Sequence, residues 1–367
     1  MASNPQSAWQ PDWTVAPGEI LLEALQDRGM TQSELAQRLA RPLKTVNEII
    51  KGKAAITPET AIQLERALGI SAGFWTGLEA QFRNTLARQG AERELVAQAN
   101  WIDDFPVADL VKHKQIQRGK SKAETLANLL SYLGVSSPAA FDRLEAAAAY
   151  RASPAFAASP KAVTAWLRWG EIEAAKVDVP PFNARRFRQI LDEIRPLTRR
   201  EPFDQVFKRV KAMCAEAGVV VLLTPELTGT HVSGAARWLG SKPVIQLSRR
   251  HKVDDQFWFT FFHEAGHLLS RSRRRDFIDG AEPEPFGDLE ADEQEANQLA
   301  RDVLLPPGDY EAFVEAADFS RAAIRSFAQQ QRIAPGIVVG RLQRDDHVPP
   351  SKLRDLKKSI HLPTDHA

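Results

Sequence analysis

The first 90 residues place apolar side chains at helical spacing in five short segments. In PGEILLEALQDRGM, Leu21 and Leu25 fall on one face. Thr31 and Glu34 form a capping box in front of the second segment, and Thr57 followed by a proline opens the fourth. The pattern predicts a compact all-helical domain of five short helices.

The rest of the chain mixes helical and strand patterns. Apolar stripes in AETLANLLSYLGV and AVTAWLRWGEIEAAK predict helices, and ASPAFAASP between them predicts a loop. A β-type run first appears at 219–223, and HVSGAARWL and KPVIQLS follow as a hairpin parted by Gly240 and Ser241. The apolar segment FWFTFFHEAGHLLS predicts a core helix. A charged connection, RSRRRDFIDGAEPEPFGD, leads to the helix LEADEQEANQLARDVLLP, and further helices are expected near 319–331 and 335–344.

These patterns predict a mainly α protein with one small β-sheet. Five consecutive regions are expected along the chain. They are a flexible N-terminus at 1–17, a five-helix domain at 18–92, a helical connecting region at 93–180, an α+β domain at 181–346 and a polar tail at 347–367.

Composition is that of an ordinary soluble protein, with 43% hydrophobic and 26% charged residues. The net charge is +1, so any nucleic-acid binding must come from a local patch. Cys214 is the only cysteine, which excludes an internal disulfide and favours a reducing compartment; its amphipathic surroundings indicate packing. No signal pattern or membrane-length apolar run occurs, so we expect a cytoplasmic protein without membrane association.

The core helix carries the motif HEAGH, an HExxH pattern. His263 and His267 are four residues apart, so both imidazoles leave one face of the helix and can meet one metal ion. Glu264 is placed to take a proton from a water on that metal. A buried histidine is more often a hydrogen-bonded core residue, but burying these groups unpaired would cost several kcal/mol. The motif therefore predicts a zinc site.

A third zinc ligand is expected from the acidic residues of the next helix. Glu293 lies at the edge of that helix's apolar stripe and is the preferred candidate, with Glu295 as the alternative. Asp292 also faces inward, but its side chain is shorter. Asn297, four residues after Glu293, is placed to orient a ligand histidine.

Two histidines and one glutamate leave an open zinc position, which suits hydrolysis of a peptide bond. The segment HVSGAARWL is expected to offer a strand edge to an extended peptide. Tyr310, His231 and Arg237 are equally eligible as a further oxyanion stabiliser.

The second and third N-terminal helices, at 31–40 and 42–50, are joined by a tight turn, as in a helix-turn-helix. That geometry inserts the third helix into the major groove of DNA. The alternative is a solvated helix face in a protein-interaction bundle. The predicted DNA contacts are Gln32, Lys44, Thr45, Asn47 and Lys51.

The region from PGEILLEALQ to the fifth helix, with NEIIKGKAAITPETA at its core, resembles the HigA-type antitoxin branch of the XRE helix-turn-helix regulators. The resemblance implies an operator-binding domain that forms a homodimer. Ala40 departs from it, since such domains usually have glycine in this turn. Alanine in a left-handed conformation costs about 1 kcal/mol.

The segments FWFTFFHEAGHLL and EQEANQLARDVLLP resemble the ImmA/IrrE family of zinc metallopeptidases, within roughly 180–345. In that family an E-x-x-A-N pattern supplies the third zinc ligand, which here is Glu293. The resemblance implies a zincin-like endopeptidase that cleaves or inactivates a partner repressor and thereby switches on stress or mobile-element genes.

The leading hypothesis is a DNA-binding transcriptional regulator fused to a zinc metalloendopeptidase with a protein substrate such as a repressor. The rival is an antitoxin-like or autoregulatory repressor whose zinc domain is a sensor or structural module without protease activity. In a third hypothesis the N-terminal helices bind the protein substrate instead of DNA.

Overall fold

The computed structural model describes residues 15–149, 159–250, 253–270 and 289–360. These residues form mostly helices with one small sheet, which confirms the predicted fold class. The chain divides into two compact units, Met1–Ala99 and Asn100–Ala367. The predicted loop ASPAFAASP (except its last two residues), the charged connection and most of the predicted N-terminus lie outside the described residues.

The first unit contains the five predicted helices. Thr31 and Glu34 make the predicted capping box, and Thr57 caps α4 at its predicted start. Gly69 ends α4 in the left-handed conformation. Leu35, Val46 and other fully buried apolar side chains form its core. The helices are α1 (Pro17–Gln26), α2 (Gln32–Arg38), α3 (Leu43–Ile50), α4 (Pro58–Leu68) and α5 (Ala72–Ala97).

α5 is longer than its apolar pattern predicts. The predicted domain ends at 92, whereas the helix continues to Ala97 through AERELV, a run of good helix formers. Most residues in this last part of α5 are exposed, so the sequence contains no periodic apolar stripe that would predict it.

The second unit contains eleven helices among its described residues, and a three-stranded sheet. Its helices before the sheet are α6 (Val107–Lys112), α7 (Lys122–Leu133), α8 (Pro138–Ala149), α9 (Pro160–Ala175), α10 (Ala184–Ile194) and α11 (Phe203–Glu216). After them come β1 (Val220–Thr224), β2 (Gly234–Leu239), β3 (Lys242–Ser248), α12 (Asp254–Leu269), α13 (Leu289–Leu304), α14 (Pro307–Glu315), α15 (Arg321–Gln330) and α16 (Pro335–Arg344).

The sheet has the strand order β1-β3-β2. β2 and β3 form the predicted antiparallel hairpin, with Leu239 opposite Lys242, and β1 runs parallel to β3. β2 therefore lies at one edge of this sheet.

The predicted connecting region supplies part of the second unit. α9 packs against β1 and β3. The indole of Trp166 donates a hydrogen bond to the Pro225 carbonyl (3.1 Å), and the amide of Gln246 on β3 donates one to the Trp166 carbonyl (2.7 Å). α9 thus covers one face of the sheet.

Cys214 is buried in the core of the second unit, as expected for a packing residue. Burial raises the pKa of its thiol, which disfavours the reactive thiolate.

The described part of the predicted polar tail is packed against the second unit. Residues 357–360, here called the C-terminal strap, make an antiparallel bridge from Ser359 to Val253, just before α12. The backbone N–H of Lys358 donates to Asp254 (3.1 Å), and the ammonium of Lys357 contacts Asp255 at 2.5 Å. The sequence gives no sign of this packing, because the few apolar residues of the segment, such as the buried Ile360, show no periodic pattern.

Candidate metal centre and nucleic-acid interface

α12 carries the predicted metal ligands on a helix anchored by aromatic residues. Phe257, Trp258, Phe261 and Phe262 are buried and fix the helix in the core of the unit. They explain the apolar character of FWFTFFHEAGHLLS, since they hold the helix that bears the polar motif.

The structure brings His263, His267 and Glu293 together. The two Nε2 atoms lie 3.0 Å apart. One carboxylate oxygen of Glu293 lies 3.4 Å from Nε2 of His263, and the other lies 3.3 Å from Nε2 of His267. Suitable ligand atoms of the three residues all lie within 4.8 Å of one another.

This donor set fits a zinc ion. Two imidazole nitrogens and one carboxylate, converging on one point, are the protein ligands of an open zinc site. Burial lowers the pKa of His263, although the Glu293 carboxylate and the Asn297 side chain oppose that shift. A lowered pKa favours the neutral imidazole, which is the form that binds a metal.

Gly266 is the residue that lets α13 approach this closely. A Cβ atom at Gly266 would lie 2.8 Å from the Cα of Ala296, so only glycine fits between the two helices. Since Ala296 is one turn from Glu293 on α13, this contact places the carboxylate beside the histidines. Sequence reasoning missed this role of the glycine inside HEAGH.

The other two acidic candidates on α13 point elsewhere. The hydroxyl oxygen of Ser270, at the end of α12, lies 3.2 Å from Asp292 and 3.0 Å from Glu295. Both carboxylates are therefore engaged beyond the last turn of α12, whereas Glu293 faces the two imidazoles.

Glu264 is buried, with 7% of its surface exposed, and lies against the edge strand. A Cβ atom on Gly234, the first residue of β2, would lie 2.8 Å from Cγ and 2.9 Å from Oε1 of Glu264. The absence of a side chain at Gly234 therefore lets the strand edge pass next to the predicted base. A glycine inside the predicted strand HVSGAARWL is the sequence signal for a close approach, but it does not identify the side chain that approaches.

Two of the three candidate oxyanion stabilisers have structural contacts instead. The Tyr310 hydroxyl donates to Asp345 (2.9 Å), and burial raises the pKa of Tyr310. Arg237 lies 2.9 Å from the Glu171 carboxylate. His231 is exposed in the loop before β2 and has a left-handed backbone.

The predicted DNA contacts lie in the first unit on or beside α2 and α3. Val46 and Ile49 form the buried face of α3, and its exposed residues are Leu43 and Lys44. Gln32 is the first residue of α2, and Lys51 is the C-cap of α3 and exposed. The other predicted contacts, all on α3, are the exposed Lys44 and the half-buried Thr45 and Asn47.

Ala40, in the turn between α2 and α3, adopts a left-handed conformation with φ of 50°. The turn has the backbone geometry that glycine would favour, so the alanine there is conformationally strained.

Each of the two units contains a match to a known protein family. The helix-turn-helix family matches residues 21–75, and the family described as IrrE N-terminal-like domain, a peptidase family, matches residues 214–328. The chain is a helix-turn-helix protein that carries an IrrE-like domain.

Relatives of the DNA-binding helix-turn-helix domain include the uncharacterized HTH-type transcriptional regulator YddM of Escherichia coli. It is 35% identical over 63 residues, which are 17% of this chain and 67% of that protein. Virulence-associated protein A of Dichelobacter nodosus is 40% identical over 74 residues, 20% of this chain and 71% of that protein. A solved structure, an addiction module antidote protein of the HigA family from Coxiella burnetii, is 30% identical and aligns with a TM-score of 0.21 over 23% of this chain and 92% of its own.

The IrrE-like domain contains the HExxH helix and the carboxylate of α13 within its matched residues, so the candidate metal centre is part of a metallopeptidase-like domain. Among the residues that the structure describes, no helix is both long and apolar enough to cross a membrane.

Proposed function

We propose that this protein is a cytoplasmic transcriptional regulator whose helix-turn-helix domain binds an operator and whose IrrE-like domain is a zinc endopeptidase. The substrate is a protein, with a transcriptional repressor as the expected class. The observation that carries the proposal is the convergence of His263, His267 and Glu293 next to a buried glutamate and a strand edge.

His263, His267 and Glu293 would hold the zinc ion, and Asn297 would orient His263. When bound, zinc polarises the peptide carbonyl and acidifies a water molecule. Glu264, which directly follows His263 on the same helix, would accept the proton of that water and deliver it to the departing amine. Burial of Glu264 against Gly234 restricts the orientations that its carboxylate can take.

The edge strand β2 supports the binding of an extended peptide. Its neighbour on one side is β3, and its first residue lies beside Glu264. A substrate that pairs with β2 by main-chain hydrogen bonds would be led past the proposed base.

The helix-turn-helix domain supports operator binding by α3. Lys44, Thr45, Asn47 and Lys51 would contact base edges or phosphates, with Gln32 at the DNA backbone. The name of the Escherichia coli relative, an HTH-type transcriptional regulator, agrees with this class of function. We propose that this domain acts as a homodimer.

The decisive experiment uses the full chain with Glu264→Gln. This variant should bind about one zinc per chain but fail to cleave, so that it retains its protein substrate and allows the substrate to be identified by mass spectrometry. Glu311→Gln, an exposed glutamate on α14, is the matched control and should turn over the substrate normally.

The same variants separate the proposal from its rivals. If Glu264→Gln behaves as wild type in cells while Lys44→Ala and Asn47→Ala derepress a promoter, the protein is a repressor whose zinc domain is not a protease. If the full chain binds its protein substrate through α3 and shows no salt-dependent binding to its own promoter, DNA is not the partner.

A further inference from the structure

A cavity of about 270 Å³ lies between α12, α13 and α16 and reaches the C-terminal strap. Its volume corresponds to roughly nine water molecules, enough for one or two side chains. Part of its lining is apolar and comes from Phe259, Leu304, Leu305 and Ile337.

The cavity adjoins the candidate metal centre. Phe259 lies one turn before His263 on α12, and their rings stack with centroids 6.1 Å apart. The guanidinium of Arg344, on α16, lies 5.9 Å from the centre of the Phe259 ring, and its charge contributes to the lowered pKa of His263. A ligand in the cavity would therefore be a close neighbour of a peptide at the zinc site.

The polar lining of the cavity is predominantly cationic. Two of its four basic side chains have carboxylate partners: Arg341 contacts Asp345 at 2.5 Å, and Lys357 contacts Asp255, as described above. Within the described ranges, no carboxylate lies within 4.0 Å of the other two, Arg301 and Arg344.

The lining combines apolar side chains with two guanidinium groups that have no carboxylate within 4.0 Å, although the charge of Asp345 also interacts with Arg301. This combination is complementary to an anionic group on an apolar body. Guanidinium groups bind carboxylates through paired hydrogen bonds. Arg301 is half-buried, which strengthens the attraction there, whereas Arg344 is exposed and its attraction is more strongly screened. A purely apolar side chain would leave both charges facing it, and a basic side chain would be repelled.

We infer that this cavity is a subsite for an acidic side chain of the peptide substrate, in which Arg301 and Arg344 bind the carboxylate beside the zinc centre. The biological role rests on the proposed peptidase function, whereas the binding itself is measurable without turnover. Arg301 and Arg344 are thus specificity-determining residues.

The test uses the zinc-loaded full chain with Glu264→Gln, which does not consume its ligand. The probes are two fluorescein-labelled octapeptide pools, degenerate over uncharged residues except for a central Glu in one pool and Gln in the other. Fluorescence anisotropy should show about five-fold tighter binding of the Glu pool. Arg344→Gln and Arg301→Gln should each reduce that advantage, and Arg325→Gln, on the exposed face of α15, should keep it.

A charge reversal guards against variants that merely distort the site. Arg301→Glu combined with Arg344→Glu should prefer a third pool with a central Lys, which a loss of structure would not produce. Zinc content must stay near one per chain, since Arg344 lies near His263.

The outcomes distinguish this subsite from the proposed function. Equal binding of the Glu and Gln pools, together with cleavage that shows no acidic preference, would overturn the subsite and leave the peptidase standing. Arginine-dependent binding of the Glu pool without cleavage of any peptide by the wild-type chain would support the subsite and count against the peptidase.

Discussion

The two candidate functional regions present their residues in opposite ways. α3 holds its proposed DNA contacts on accessible faces of a short helix, with Val46 and Ile49 buried behind them. α12 holds its motif inside the second unit, where both Glu264 and His267 are less than 10% exposed. A helix that contacts DNA from the protein surface needs only the correct orientation. A buried metal centre needs several helices and strands packed to within a fraction of an ångström.

The comparison predicts that substitutions at the buried centre act in an all-or-none manner. His263→Ala should remove the metal entirely, because two remaining ligands cannot hold zinc at micromolar concentration. Metal analysis of the purified full chain should fall from about one zinc to none. His347→Ala, at an exposed histidine, should leave zinc unchanged; zinc retained in His263→Ala would reject the ligand assignment.

The next largest effect is expected at the helix contact. Gly266→Ala places a methyl group against the backbone of Ala296, which cannot move without shifting α13. We expect zinc affinity to fall about 10–100-fold and the free energy of unfolding to drop by about 1–3 kcal/mol. Gly77→Ala on α5, where a Cβ meets nothing within 4 Å, should instead stabilise its helix by about 1 kcal/mol. Competition with a metal chelator measures the zinc affinity, and thermal unfolding measures the change in stability.

Burial on α12 also predicts a dependence on pH. Desolvation raises the pKa of Asp254 to about 6, above its value near 4 in the unfolded chain. Because the native state holds this proton more tightly, the free energy of unfolding should decrease by about 2 kcal/mol as the pH rises from 4 to 6. Urea titrations should show this slope flattened in Asp254→Asn. An unchanged slope would show that Asp254 ionises normally in the folded protein.

At α3 a single substitution should reduce the affinity for DNA only in part. Lys44→Ala should weaken binding of operator and unrelated DNA alike and reduce the logarithmic salt dependence by about 1, as expected for one lost phosphate contact. Arg66→Ala, at an exposed position on α4, controls for the change in net charge. Equal effects of the two variants would mean that α3 has no special role.

The smallest effect is expected in the turn before α3. Ala40→Gly should raise the free energy of unfolding of the first unit by about 1 kcal/mol, since φ there is 50°. Ala91→Gly, in the interior of α5, should lower it by a similar amount. Destabilisation by Ala40→Gly would contradict the strain assigned to this turn.

Local patterns carried most of the information that the sequence could provide. The capping box at Thr31, the β2–β3 hairpin and the shared helix face of His263 and His267 each depend on residues a few positions apart, and the structure contains all three. The choice of Glu293 combined such a face argument with a family pattern, and its role as a ligand stays a prediction.

Features that depend on distant segments were not predictable in this way. The parallel pairing of β1 with β3, the packing of α9 on the sheet and the approach of Gly234 to Glu264 join parts of the chain that share no periodic signal. The cavity beside Phe259 draws on four separate segments, so Arg301 and Arg344 look like ordinary surface charges in the sequence.

The C-terminal strap has a consequence for the length of chain that this centre requires. It provides the partners of two buried carboxylates, Asp254 and Asp255, at the very start of the helix that bears the histidines. A chain that stops before Lys357 would lack the ammonium group that contacts Asp255 and the Lys358 N–H that donates to Asp254, which would keep only the N–H of Asp255 as a donor. Such a truncated protein would keep every predicted metal ligand but lose the contacts that hold the start of the helix bearing the histidines.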